Sequence, residues 1–208
     1  MKRPRLVLFD LGRVLVSIRD TWEDGCRAAG FDPPGQGAVA ELREMIDPLE
    51  RGRLSPDDFD RAVADAADVP LPVARRLLRC WLRGPTAGSR QLLKDLTRRP
   101  VTTACLSNTN ARHWQMMTEP GSAFAPDLSR LNYHFPSHAL GLRKPDAEIY
   151  REVESATGVR GRDVLFFDDL PDNLTAAGRL GWQTVRIFPH RPPVDQVRTA
   201  LRQRRLLD

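Results

Sequence analysis

Short apolar runs alternate with helix-like segments along most of this 208-residue chain. Four of these runs predict strands, and a weaker fifth strand is predicted over Tyr133–Phe135. The four are Arg5–Phe9, Val101–Leu106, Val164–Phe167 and Thr184–Phe188. The segments between them predict helices over Ser89–Thr97, Asn110–Met117, Asp146–Thr157, Asp172–Leu180 and Val194–Arg204. The alternation predicts an α/β fold with a doubly wound, Rossmann-like, mostly parallel sheet.

Residues 16–85 break this alternation and show no evident strand. Ser55 followed by Pro56 and two acidic residues predicts a helix start within this stretch. The predicted helices are Thr21–Ala29, Ala38–Leu49, Pro56–Ala67 and Pro72–Leu82. We therefore expect a core domain of residues 1–15 and 86–208, with a small all-helical cap, residues 16–85, inserted after the first strand.

Composition argues against several classes of function. The net charge is +5, but the basic residues are scattered and no aromatic residues alternate with them, so nucleic acid is not the expected partner. No apolar run is long enough to span a membrane, and the first residues lack the longer apolar stretch and cleavage site of a signal peptide, so we expect neither feature. The three cysteines (Cys26, Cys80 and Cys105) form no CxxC pair. We expect a cytoplasmic protein that binds no membrane and is a monomer or a homodimer.

Polar residues follow the predicted strands, and ligands bind at this edge of open α/β sheets. They are Asp10, Ser107, Asn108, Asp168 and Asp169, and Lys144 precedes a predicted helix. Several carboxylates confined together repel one another unless a cation compensates them. Mg²⁺ with oxygen ligands is the simplest such cation, and it commonly binds substrate phosphate as well. One carboxylate would remain free to attack phosphorus.

Four segments carry a resemblance to a known family. FDLGRVL, CLSNTN, GLRKPDAEIY and FFDDLPDNLTAAGRLG resemble, in order, the four motifs of the haloacid dehalogenase (HAD) superfamily. LERGRLSPDDF in the expected cap is similar to a recurrent cap segment. The first motif also resembles that of the bacterial alpha-D-glucose-1-phosphate phosphatases. The resemblance implies a magnesium-dependent phosphatase that hydrolyses a small phosphorylated metabolite, with a sugar phosphate as the best single guess, through an aspartyl-phosphate.

The resemblance also implies roles for the residues around the metal. Asp10 would be the nucleophile and a metal ligand, and Gly12 would offer its backbone carbonyl to the ion. Asp169 would bind the ion directly. Asp168 would either pair with Lys144 or bind the ion through water. Lys144 would orient Asp10 and neutralise the phosphoryl oxygens.

A second set of residues would hold the phosphoryl group. The resemblance assigns this role to Ser107 and Asn108, together with the backbone amides after Asp10, at Leu11 and Gly12. Outside the family roles, Asp172 and Asn173 are predicted to cap the helix that follows them.

Gly12 departs from the pattern of many phosphatases in this family, which carry a second Asp at that position. A positioned acid or base typically contributes ~10²–10⁴-fold in rate. Either the substrate has a good leaving group or its own proton donor, or water or a cap residue such as Glu50 or Asp57 replaces the Asp, or the protein hydrolyses phosphate esters poorly.

Two other functions stay open at this point. A 2-haloacid dehalogenase on the same fold would share the nucleophile Asp10 and would need no metal, although the pair Asp168-Asp169 favours the phosphatase. Alternatively, the protein could be catalytically weak and bind a phosphorylated metabolite or a protein partner.

Overall fold

A five-stranded parallel sheet forms the centre of the structure, a computed structural model that describes residues 2–208. In chain order the strands are β1 (Leu6–Phe9), β2 (Val16–Ile18), β3 (Leu82–Pro85), β4 (Thr102–Ser107), β5 (Tyr133–Pro136), β6 (Val164–Asp168) and β7 (Gln183–Arg186). The order within the central sheet is β5-β4-β1-β6-β7. The chain therefore builds outward from β1 on one side and then on the other, as the predicted doubly wound fold requires.

Twelve helices surround this sheet or form the insertion, within residues 2–208. Those of the insertion are α1 (Trp22–Ala29), α2 (Gln36–Glu44), α3 (Ile46–Glu50), α4 (Pro56–Ala67), α5 (Leu71–Ala74) and α6 (Arg76–Trp81). Those of the core are α7 (Ser89–Leu96), α8 (Ala111–Thr118), α9 (Ser137–Leu140), α10 (Ala147–Thr157), α11 (Pro171–Arg179) and α12 (Pro193–Gln203). The α/β architecture predicted from the sequence is confirmed.

Both faces of the sheet are covered at its centre, which explains why β1 is apolar at every position. Val7 and Phe9 of β1 belong to one hydrophobic cluster with residues of α7 and α12. Leu6 and Leu8 alternate with them and belong to a second cluster with residues of α10 and α11. Successive side chains of a strand point to opposite faces, so a strand covered on both sides must be apolar at every position.

The insertion has a hydrophobic cluster of its own, built from α1 to α6. Trp22 contacts both Phe59 and Trp81 there, with ring centroids 6.2 and 6.1 Å apart. The helix start at Ser55 is confirmed: its side chain accepts a hydrogen bond from the backbone N–H of Asp58 at 3.1 Å, with Pro56 in the first turn. The body of the insertion is thus helical, as expected; the exact cap boundaries stay a prediction.

The expectation that residues 16–85 contain no strand is wrong at both ends. β2 and β3 pair antiparallel and connect the helical insertion to the core. The segments are only three and four residues long, too short to show an alternating pattern, and β3 contains Gly84 and Pro85, which are uncommon in strands. Their pairing across more than sixty residues of chain is a tertiary contact that local sequence does not encode.

Two predicted cap helices are broken in the structure. The segment Ala38–Leu49 is divided at Met45 into α2 and α3, and Pro72–Leu82 is divided at Arg75 into α5 and α6. Both halves of each predicted helix contribute to the one cap cluster. Within residues 2–208, no helix is long and apolar enough to cross a membrane.

Candidate active site

The strand register brings three sequence-predicted residues to one edge of the sheet. Phe9, the last residue of β1, lies opposite Cys105 of β4 and Phe167 of β6. Asp10 follows Phe9 directly, and Ser107 and Asp168 end the two neighbouring strands. Because the three strands are parallel, their carboxyl ends meet at this edge, and the side chains that follow them converge.

Lys144 lies between two of the carboxylates. Its Nζ donates to Asp10 Oδ1 at 2.8 Å and to Asp168 Oδ2 at 2.7 Å. The side chain is only 2% exposed, so the ammonium points into the cluster and not into solvent. Lys144 is one of three lysines against 29 arginines. A compact ammonium can approach two carboxylates in a crowded site where a planar guanidinium would need more room.

One ammonium does not compensate the whole cluster. Burial raises the pKa of Asp10 to about 7; Lys144 opposes the shift, and the carboxylates of Asp168 and Asp169 add to it. Burial and the neighbouring Asp168 also raise the pKa of Asp169, against the effect of Arg13. Although burial lowers the pKa of Lys144, its two carboxylate partners hold it well above its usual range. The cluster therefore has an excess of negative charge that a further cation would relieve.

The donor set suits a hard divalent cation. One carboxylate oxygen each from Asp10, Asp168 and Asp169 lie within 4.8 Å of one another. Oxygen donors from carboxylates are what Mg²⁺ prefers, and such an ion would reduce the excess negative charge of the cluster. These residues fit a magnesium ion.

Asn173 holds Asp168 in place, a role that differs from the predicted helix capping. Its Nδ2 contacts both carboxylate oxygens of Asp168, at 3.1 and 3.0 Å. The backbone N–H of Leu170 donates to the same carboxylate at 2.8 Å. Leu170 is the N-cap of α11, without a side-chain capping bond, and Asp172 lies in the first turn, so the capping expectation is wrong for both Asp172 and Asn173.

Asn108 supports the loop that carries Lys144. Its Nδ2 donates to the backbone oxygen of Lys144 at 3.0 Å, and its Oδ1 accepts from the backbone N–H of Lys144 at 2.9 Å. Both polar atoms of the side chain are therefore engaged, which leaves one Nδ2 N–H and the backbone N–H of Asn108 for a ligand. Ser107 is buried beside it, and its hydroxyl makes only a 3.5 Å contact to the Asn108 carbonyl.

The loop after Asp10 places a cation near the cluster. Arg13 adopts a left-handed backbone conformation, with φ of 57°, which is uncommon for a residue with a side chain. Its Nη1 lies 3.6 Å from Asp169 Oδ2, and its Nε lies 3.2 Å from Asp20 Oδ1. Gly12 beside it has Ile18 of β2 at 3.4 Å from where a Cβ would stand. The position that holds a second Asp in many phosphatases thus faces the base of the insertion.

The insertion lies over this edge and is fastened to the loop of Lys144. Arg51 donates to Asp146 at 2.6 Å, and Arg143 donates to Glu50, also at 2.6 Å. Gly52, with φ of 68°, packs so closely on the backbone of His138 that a Cβ would lie 2.3 Å from its carbonyl oxygen. The predicted cap residue Glu50 therefore lies at the cap–core interface, where it also lines the cavity above the sheet edge. Asp57, the other cap candidate, pairs with Arg112 at 2.8 Å and does not line that cavity within residues 2–208.

Comparison with known proteins identifies the family. The family model of haloacid dehalogenase-like hydrolases matches residues 4–181. The chain belongs to this family. Among relatives of this haloacid dehalogenase-like hydrolase, a drimenol cyclase of Aspergillus calidoustus is 28% identical over 87% of the chain, which spans only 33% of that relative. A sesquiterpene phosphatase of Aspergillus oryzae is 28% identical over 66% of the chain and 69% of the relative.

Solved structures share the fold of this haloacid dehalogenase-like hydrolase over nearly its full length. A predicted HAD-like hydrolase of Porphyromonas gingivalis has a TM-score of 0.77 and 25% identity, over 96% of this chain and 98% of that one. A HAD family enzyme of Bacteroides thetaiotaomicron in complex with magnesium and inorganic phosphate has a TM-score of 0.74 and 22% identity, over 90% and 96%. A dehalogenase with an intermediate complex has a TM-score of 0.66 and 20% identity, over 90% and 86%.

His113 connects the core of this haloacid dehalogenase-like hydrolase to its insertion and was not singled out in the sequence. Its Nε2 donates to the backbone oxygen of Leu78 at 2.7 Å, and its Nδ1 accepts from Asn110 Nδ2 at 3.1 Å. Both bonds suit the neutral ring. Burial, followed by the nearby Arg112, lowers the pKa of His113 to about 4, against the effect of the Leu78 carbonyl. No sequence signal marks this contact, because its partner lies 35 residues away.

We expect His113 to make the fold less stable in mild acid. Between pH 6.5 and 4 the unfolded chain protonates this ring while the folded chain does not, so the free energy of unfolding decreases as pH falls through this range. The shift from 6.5 to about 4 corresponds to about 3 kcal/mol. Urea unfolding of the wild type and His113→Gln at pH 7.5, 6 and 5 measures this. In His113→Gln the free energy of unfolding should depend much less on pH. His190→Gln, at an exposed position, should show the same pH dependence of the free energy of unfolding as the wild type. If the free energy of unfolding changes with pH equally in the wild type and in His113→Gln, the effect does not come from His113.

Proposed function

We propose that this protein is a magnesium-dependent phosphomonoester hydrolase that works through an aspartyl-phosphate on Asp10. The observation that carries the proposal is the cluster of Asp10, Asp168 and Asp169 around the buried ammonium of Lys144. This arrangement leaves negative charge uncompensated, and it suits a reaction in which a divalent cation and a phosphate dianion bind together.

In this proposal Asp10 attacks phosphorus with a carboxylate oxygen. A bond forms between that oxygen and phosphorus while the bond from phosphorus to the ester oxygen breaks, and the alcohol leaves after it takes up a proton. Water then attacks the same phosphorus, which releases inorganic phosphate and restores the carboxylate. Lys144 holds Asp10 in position and stabilises negative charge on the phosphoryl oxygens. Ser107 and the backbone amides of Leu11, Gly12 and Asn108 would donate hydrogen bonds to those oxygens.

The magnesium ion would be held by Asp10, Asp169 and the backbone carbonyl of Gly12, with Asp168 paired to Lys144 as the structure has it. When bound, the ion supplies charge compensation for the phosphoryl group. Asn173 and the Leu170 amide fix Asp168, so that Lys144 stays aimed at Asp10.

The residue that protonates the leaving alcohol is a separate part of the proposal. Gly12 has no side chain that could donate a proton, so a water molecule or a residue of the cap must protonate the alcohol. Glu50 is the carboxylate that lines the cavity above the sheet edge, and Arg143 holds it there at 2.6 Å. We assign Glu50 as the candidate, ahead of Asp57, because Asp57 lies outside the cavity lining.

Known proteins support the reaction class. The Bacteroides structure with the same fold was determined with magnesium and inorganic phosphate, and the Aspergillus oryzae relative is named a phosphatase. A dehalogenase also shares the fold, so the family alone leaves both reactions open. The additional carboxylates favour the phosphatase, because without a metal they would oppose the approach of an anionic haloacid to Asp10.

A phosphomonoester panel with and without magnesium tests the proposal. We expect phosphate release with Mg²⁺, loss of release after chelation, and recovery on adding Mg²⁺ back. Chloride release from 2-chloropropionate in chelator would instead establish a dehalogenase. Binding of inorganic phosphate without turnover of any ester would establish the catalytically weak alternative. Either of the last two results would overturn the proposal.

A further inference from the structure

A cavity of about 210 Å³ lies between the insertion and the core, directly above the candidate phosphate site. Its core end is formed by Leu11 and Gly12 after β1 and by Ser107 and Asn108 after β4. A phosphoryl group placed beside Asp10 would therefore have its organic group in this cavity. The chemistry of the remaining walls determines which organic group fits.

The cap side of the cavity is apolar apart from Glu50. Its walls there are the side chains of the cap cluster, including Trp22, Leu49, Phe59, Leu77, Leu78 and Trp81. Within residues 2–208, none of the chain's many arginines and lysines lines it. Four other depressions on the surface are each lined by at least one arginine. The cavity is thus an apolar space in a chain whose surface is rich in cations.

The polar residues of the cavity are mostly engaged with the protein itself. Both side-chain atoms of Asn108 bond to the backbone of Lys144. The side chain of Asn110 bonds to the backbone N–H and the ring of His113, at 3.0 and 3.1 Å, and the ring bonds to Leu78 in turn. Glu50 is held by Arg143. Among the described residues, the hydroxyls of Ser107 and Thr109 have no close partner, but both belong to the core end of the cavity. A sugar hydroxyl placed against the cap wall, within residues 2–208, would find only Glu50 as a side-chain acceptor, and a buried hydroxyl without a partner disfavours binding.

We propose that the substrate is the phosphate monoester of a small apolar alcohol. This inference rests on the proposed function, and it replaces the sugar phosphate expected from the glucose-1-phosphate phosphatase resemblance. The volume of about 210 Å³ is below the roughly 300–1,000 Å³ of pockets for drug-sized ligands, so the organic group is small. The aromatic rings of Trp22, Phe59 and Trp81 would contact it, with the alcohol oxygen toward Gly12 and Ser107.

A chain-length series tests the proposal with matched leaving groups. The full-length protein with Mg²⁺ is assayed on ethyl, n-butyl and n-hexyl phosphate and on glucose 6-phosphate. Each buried methylene is worth roughly fourfold, so kcat/KM should rise by about 100-fold or more over the four methylenes from ethyl to hexyl. Glucose 6-phosphate should be a poorer substrate than hexyl phosphate. A flat series, or a preference for glucose 6-phosphate, would overturn the inference and leave the proposed phosphatase intact.

A pair of cap variants distinguishes an effect on the cavity from an effect on the fold of the cap. Ile46 lines the cavity, whereas Val73 packs on the same cap cluster away from it, and both are partly buried. Ile46→Thr should lower the hexyl-to-ethyl ratio of kcat/KM by about tenfold. Val73→Thr should leave that ratio unchanged. Equal effects of the two variants would mean that the cavity does not bind the organic group.

A binding measurement distinguishes this proposal from the proposed reaction. n-Hexylphosphonate and methylphosphonate, which are not hydrolysed, are titrated against the tryptophan fluorescence of the protein with Mg²⁺. We expect hexylphosphonate to bind at least about tenfold more tightly. If no ester is turned over, the proposed reaction is wrong. The affinities for the two phosphonates then test by themselves whether the pocket binds an apolar group. Equal affinity for the two phosphonates would overturn the apolar pocket.

Discussion

Asp10→Asn should remove turnover while the protein stays folded. The amide is a poor nucleophile toward phosphorus, and loss of a nucleophile that works with its neighbours typically costs roughly 10⁴-fold or more in kcat. The variant keeps an oxygen that can accept the hydrogen bond from Lys144 Nζ, which lies 2.8 Å from the carboxylate oxygen in the wild type. We therefore expect the loss of activity to come from chemistry and not from disruption of the site.

The stability of this variant supplies an independent measurement. Burial raises the pKa of Asp10 to about 7, so its ionised form opposes folding at pH 8 in the absence of a metal ion. Asp10→Asn should therefore have a Tm in chelator that equals or exceeds that of the wild type. Asp32→Asn, at an exposed cap position, is the matched control and should retain both activity and Tm.

Trapping the intermediate completes the test of Asp10. Acid-quenched wild-type protein should carry phosphate on Asp10 as an acyl phosphate that hydroxylamine removes, and the variant should carry none. Phosphatase activity in Asp10→Asn close to that of the wild type would refute the assignment of the nucleophile.

Lys144→Met should destabilise the protein and also remove its activity. The ammonium contacts Asp10 and Asp168 at 2.8 and 2.7 Å and is 2% exposed. Its removal leaves two buried carboxylates without their cation, and breaking a buried pair in this way typically costs about 3–5 kcal/mol. The residual protein would also lack the charge that orients Asp10, so kcat/KM should fall below detection even where the fold persists.

Urea unfolding at pH 7.5 in chelator measures the effect on stability. Lys94→Met is the matched control, because Lys94 is exposed on α7 and its replacement should change the free energy of unfolding by no more than about 0.5 kcal/mol. Lowering the pH should narrow the difference between Lys144→Met and the wild type, since protonation of the carboxylates removes the charge that the variant leaves uncompensated. A Lys144→Met protein as stable as Lys94→Met at pH 7.5 would contradict the charge balance on which the candidate site depends.

Local chemistry in the sequence predicted much of this fold. The central strands β1, β4 and β6 of the parallel sheet are buried on both faces, so their apolar runs are visible without any knowledge of partners. The start of α4 was predictable from Ser55 and Pro56, because a capping side chain and a proline in the first turn act within four residues. The positions of Asp10, Ser107, Lys144 and Asp168 at one edge of the sheet were predictable for a similar reason. Each of them lies at the end of a strand or the start of a helix that its local sequence already predicts.

Contacts that reach beyond a residue's own helix or strand were not predictable in the same way. The pairing of β2 with β3, the use of both Asn108 side-chain atoms by Lys144, and the bond from Asn173 to Asp168 all join residues whose local sequence suggests something else. Asn173 looks like a helix cap because a polar residue near a helix start usually acts on the nearest backbone N–H groups. Here its Nδ2 donates instead to the buried carboxylate of Asp168, five residues earlier in the chain.

The sequence by itself determined the α/β class, the helical insertion and the set of residues at the sheet edge. The tertiary structure decided which of those groups remain available to a ligand, and what surrounds them. Patterns of three to four residues report what a side chain does within its own helix or strand. The cavity between insertion and core depends on packing between segments tens of residues apart, and that packing made its walls apolar in a chain otherwise rich in arginine.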